Sequence, residues 1–201
     1  MEPITPEMLG AKIAQVKFKD WPTRLKLFRE QLKLEKNKEA QNRTFEIEAA
    51  IYISHEEVFS FALANQKIGF SEAELKQICE GFLQVVREFL ATHGWKTEDF
   101  RKWEEIHDER FCEYLDLTND LLAGGKECGP SLKLGHAFIK HALPKLKSSN
   151  AEMLFLCDAI NFHALHYIAA SVKAIQGIMA NGGKTFWQRL LAGFLNAPVD
   201  D

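Results

Sequence analysis

The stretch MLFLCDAINFHALHYIAASV, Met153 to Val172, is apolar around most of its circumference yet carries Asp158, Asn161, His163 and His166. Apolar residues spread round a helix, with no continuous polar face, mark a helix enclosed by others rather than one lying on a surface. A membrane span would need about 18 or more predominantly apolar residues in a row, and the Asp, the Asn and the two His break this run. The stretch therefore reads as the long central helix of a bundle, over about residues 151–181.

Working outward, helical start and stop signals recur and strand-like alternation is scarce. After a short turn near Pro6, Asp20 can cap a helix with Pro22 in its first turn. Trp21, Leu25, Phe28 and Leu32 then recur at helical spacing. A second segment runs from about Thr44 to Gln66, with a break allowed where Ser54 and Glu57 could form a capping box. Ser71 and Glu74 form a stronger capping box, opening a helix that stops at His93-Gly94. Thr97 opens the next, which ends at Gly124-Gly125. Pro130 begins another, to about Lys147, and Asn150 caps the long one. Asn181-Gly182-Gly183 closes it, and KTFWQRLLAGFLNA reads as a last amphipathic helix. The expectation is an all-α, single-domain bundle of six to eight helices over residues 1–201.

Composition agrees. The 201 residues are 46% hydrophobic and 26% charged, with 15 Phe and 4 Trp to fill a core. These values belong to an ordinary globular chain and exclude a disordered or fibrous one. The first residues, MEPITPEMLGAK, show no charged start followed by an apolar run, so no secretory signal is read there. Cys79, Cys112, Cys128 and Cys157 are scattered, without a C-x-x-C pair, and read as reduced thiols of a cytoplasmic protein. The net charge is -3. Lys12 to Arg43 is nonetheless basic, and Thr97 to Glu127 acidic. Lys26, Arg29, Lys33 and Lys36, off the apolar stripe of their helix, are candidate partner-binding residues. The alternative is that the two charged segments face each other.

The polar residues of the long helix raise a sharper question. At about 100° per residue, His166 lies about 80° and His163 about 140° round from Asp158, with Asn161 about 60° the other way. Burying a carboxylate is costly unless it is paired, hydrogen-bonded or bound to a cation. Other helices offer companions: Glu48 and His55 stand two turns apart with Tyr52 between them, and Glu104 and His107 form E-x-x-H in WEEIHDERF. Glu48, His55, Glu104, His107, Asp158, His163 and His166 are thus candidate metal ligands. A carboxylate and imidazole mixture of this kind suits iron or manganese in a bundle core. The bland reading gives the same groups hydrogen bonds to one another and to neighbouring helices.

The pattern resembles the di-metal carboxylate proteins of ferritin-like or haem-oxygenase-like architecture, which implies an oxidase or metal-binding function. It departs from both. E-x-x-H occurs on one helix rather than two, and the H-x-x-x-D-x-x-H offsets are filled by Ala159, His163 and His166. His107-Asp108, NDLLAGGKE (Asn119–Glu127) and Gly182-Gly183-Lys184 each lack the rest of a phosphohydrolase, terpene-cyclase or phosphate-loop motif. The residues therefore point first to a regulatory or adaptor protein that binds a protein or small-molecule partner. The metal-dependent bundle comes second. A nucleic-acid binder using the basic N-terminal face comes third, opposed by the acidic balance and the missing helix-turn-helix. No motif assigns catalysis or an oligomeric state.

Overall fold

In the computed structural model, residues 5–123 and 132–180 are described, excluding the side chains of Val16, Lys67 and residues 174–180. Among these residues the chain forms seven helices and no strand. The expected ends at Gly124-Gly125 and Asn181-Gly183, the start at Pro130 and the segment KTFWQRLLAGFLNA lie outside the described residues.

The first helix is longer than the single turn expected: α1 covers Pro6–Phe18, with the Thr5 side chain accepting from Met8 N and Pro6 at its start. Next come α2 (Trp21–Gln31), α3 (Arg43–Ile68) and α4 (Glu72–Thr92). Asp20 precedes α2, but its side chain makes no capping bond. Ser71 and Glu74 form the reciprocal capping box read from the sequence, and Gly94 ends the turn after α4 at φ 85. There follow α5 (Thr97–Ala123), α6 (Lys133–Ala142) and α7 (Asn150–Ala180). α6 stops short of Lys147 because Pro144 disfavours helical backbone at the residue before it. Residues 143–149 form a connection instead, in which Ser149 and Glu152 make the reciprocal cap that opens α7.

No break occurs at Ser54–Glu57, and α3 is the continuous centre of the bundle. It packs against α7, α5 and α6, while α1 lies along α4. Phe45, Ile47, Ala49, Ala50, Ile51, Tyr52 and Ile53 are all buried, so α3 is enclosed on every side. The stripe residues Trp21, Phe28, Trp103, Leu156 and Ile160 are buried as expected, whereas Phe111 is only partly so.

Two contacts bring helix backbones together. A Cβ on Gly10 would stand 1.8 Å from Ile78 O, and one on Gly135 would stand 2.3 Å from Cys157 O. α7 is long and apolar enough over Asn150–Lys173 to cross a membrane by length and composition, with 33% of its most apolar window buried. The same composition serves a core helix. α7 packs on α3 and α6.

Candidate functional site

The enclosed helix α3 carries a row of buried polar groups: Glu48, Ser54, His55, Glu56, Glu57 and Ser60. Each carboxylate is drawn to a different neighbour. The Tyr114 hydroxyl of α5 donates to Glu48 Oε1. Burial nevertheless pushes Glu48 up to about 7, against the opposing pull of that bond and of Arg110. Tyr114 and Tyr52, sealed in the same interior, are pushed well above the ordinary phenol range by burial and by adjacent carboxylates. The Tyr52 hydroxyl donates to Ile160 O of α7 at 3.2 Å.

His55 is held by two bonds. Its Nδ1 meets Tyr52 O, which can only accept. Nδ1 therefore carries the proton, and Nε2 accepts from the Thr118 hydroxyl at 3.0 Å. Burial lowers this imidazole to about 4. His55 is a neutral core histidine.

The seven candidate ligands are not brought to one place. Glu104 is exposed and pairs with Arg87 at 3.2 Å. Asp158 and His166 face outward on α7, with the His166 ring stacked on Phe162. His107 is buried between Trp103 and Phe111, and its Nδ1 meets Asp108 Oδ1 at 2.9 Å. Its Nε2 and Trp103 Nε1 have no hydrogen-bond partner among the described residues. Among those residues no three of His, Cys, Asp and Glu are grouped to hold a metal ion. The convergence that a common metal site would need is not seen among the described residues: the solvent-facing sides of α5 and α7 take Glu104, Asp158 and His166 away from the core.

His163 behaves differently. Its Nδ1 stands 2.9 Å from Oε1 of fully buried Glu56. Its ring meets Phe28 edge-on, at 5.0 Å between centroids, and lies parallel to Tyr167. No hydrogen bond to its Nε2 is found among the described residues, and the side chain is 16% exposed. His163 and Tyr167 line a cleft of about 350 Å³ whose remaining walls include Lys17, Arg24, Leu27, Phe28 and Ile53. Lys17 and Arg24 both donate to the Tyr167 hydroxyl, Arg24 at 2.9 Å. Both also pair with buried Glu57, at 3.0 and 3.5 Å. Burial still raises Glu57 against the pull of these cations.

Sequence reading passed over Glu56, Glu57, Lys17, Arg24 and Tyr167. A signal was present: apolar residues flank the SHEE run of α3 on both sides, so its polar residues had reason to be buried and paired. Asn161 also points inward and accepts from Gly135 N at 2.9 Å, tying α7 to α6.

The four basic candidates separate. Lys26 pairs with Glu30 at 3.8 Å on the surface. Arg29 donates to Ala40 O at 2.7 Å and lies over the Phe45 ring, holding the turn after α2. Lys33 and Lys36 are exposed. Among the described residues, the basic segment meets the acidic one through Arg43 and Asp99 at 3.6 Å. The acids of α5 otherwise pair mainly with Arg101, Lys102 and Arg110 of their own helix. No family model matches the chain, and no curated protein or solved structure matches it.

Proposed function

We propose that the protein is a regulatory helical bundle that binds a small hydroxyl-bearing aromatic or apolar molecule in the His163 cleft. One observation carries this reading: a histidine oriented by a fully buried carboxylate has an unused ring nitrogen on the wall of a solvent-accessible cleft. The cleft volume, about 350 Å³, is at the small end of ligand pockets.

The donor and acceptor pattern selects the ligand. With Nδ1 turned to Glu56, a ring whose proton sits on Nδ1 has Nε2 left as an acceptor. The Tyr167 hydroxyl accepts from Lys17 and Arg24, and its own proton has no partner among the described residues. A ligand hydroxyl can donate to the first and accept from the second. Phe28, Ile53 and Leu27 supply the apolar wall. Lys17 and Arg24 are already engaged by Glu57 and Tyr167, so an anion would have to compete with Glu57 for them.

Calorimetric titration with p-cresol, using toluene as the hydroxyl-free control, tests the reading. p-Cresol binds and toluene binds markedly more weakly. His163→Gln keeps a donor for Glu56 but removes the imidazole and takes the remaining acceptor oxygen off the Nε2 position, and Leu27→Asp spoils the apolar wall without touching the core; both weaken p-cresol binding. Equal binding of the two probes, or binding indifferent to both substitutions, would remove this function.

A further inference from the structure

A second surface lies away from that cleft, between the turn joining α2 to α3 and the connection joining α6 to α7. Two adjoining depressions of about 580 and 560 Å³ share Asn37, Leu146 and Lys147 and form one groove. Its floor includes Leu32, Leu34, Leu146 and Phe155. Phe155 is 47% exposed. Lys33, Lys38, Lys145 and Lys147 line it, all exposed. The two carboxylates in its lining, Glu39 and Glu152, are held by local bonds to Lys145 N and to Ser149. The Ser148 hydroxyl in the same lining is buried and has no hydrogen-bond partner among the described residues.

We infer that this groove docks an acidic, leucine- or phenylalanine-bearing segment of a partner protein. Charge complementarity identifies the occupant: lysines rim an apolar patch made by Phe155, 47% exposed, and half-buried Leu146, and the acids present are already engaged. Leu32 and Leu34 belong to the core beneath it.

Lys33 supports the assignment. The end of α2 closes with Leu34 N on Arg29 O at 2.8 Å and Lys33 N on Glu30 O at 3.0 Å. Lys33 takes φ 55 there, a left-handed position that glycine usually fills. A lysine costs stability at this place. What it supplies is an ammonium 4.7 Å from the Phe155 ring, on the groove itself.

Fluorescence anisotropy with a short fluorescein-labelled peptide, rich in glutamate and carrying leucines, tests the inference. The wild-type chain binds it, more weakly as salt rises, and the combined Lys38→Glu, Lys145→Glu, Lys147→Glu variant binds about tenfold more weakly or worse. Lys33→Gly separates binding from folding: it weakens the peptide while thermal stability stays level or rises. The inference is overturned if the wild-type chain does not bind the peptide, or if the triple variant binds as well as wild type. It is also overturned if phosphatidylserine vesicles bind through these lysines while the peptide does not.

Discussion

Glu56 Oε1 and His163 Nδ1 meet at 2.9 Å across α3 and α7, and Glu56 has no solvent exposure. Its Oε2 has no hydrogen-bond partner among the described residues, and beside the imidazole the Tyr52 phenol acts on this carboxyl group. Removing His163 leaves the buried carboxyl group without its hydrogen bond, whereas replacing Glu56 removes the group that needs one. His163→Phe should therefore destabilise by about 1–3 kcal/mol, and Glu56→Met by distinctly less. Urea melts check this. Equal costs would show that the carboxylate is not stranded.

Glu48 makes stability depend on pH. An unfolded glutamate loses its proton near 4.5, whereas the folded one holds it to about 7. The native state binds more protons in between, so this group's contribution declines as pH rises from 4.5 through 7 and is level above. Glu48→Gln should remove a loss of up to about 3 kcal/mol between pH 4.5 and 8. Melts across that range on both proteins, compared by difference, give the answer. Parallel curves would contradict it.

His55 acts in the opposite sense. Unfolded, it takes a proton near 6.5, and folded it refuses one to about 4. Its contribution is present above 6.5 and is lost as pH falls through about 4. Thr118→Val leaves Nε2 unpaired in the core and should cost about 1–3 kcal/mol at neutral pH. A neutral result would mean that the Thr118 bond at 3.0 Å contributes nothing.

The glycine contacts set the helix spacing. Gly10→Ala would place a methyl 1.8 Å from Ile78 O, against backbone that no rotamer change can move aside. Separation of α1 from α4 should cost about 1–3 kcal/mol or more. Gly135→Ala should do the same between α6 and α7. Wild-type melting temperatures in both variants would show that the helices lie further apart.

Much of this architecture could be read from residues alone. Trp21, Phe28 and Trp103 declared their faces by helical spacing, and Ser71 with Glu74 declared a start. The site was harder, for a physical reason. Angular position within α7 relates Asp158, His163 and His166 to one another but does not say which side meets the bundle. A helix apolar on nearly all sides gives no stronger face to orient it. Asp158 and His166 consequently went outward, while Asn161 and His163 went in. Glu56 was hidden differently: SHEE matches a helix start, and only the apolar residues on both sides argue that it lies inside one. The groove joins two connections far apart in sequence, so no local pattern could announce it.

The cleft reading is tested most directly by long-range ¹H–¹⁵N spectra of the histidine rings during titration with p-cresol. The account predicts that His163 Nε2 moves with the ligand, while His55, sealed between Tyr52 and Thr118, and His107, beneath Trp103, keep their positions. A ligand that shifts those buried rings and leaves His163 unchanged, or that shifts none of them, would contradict it.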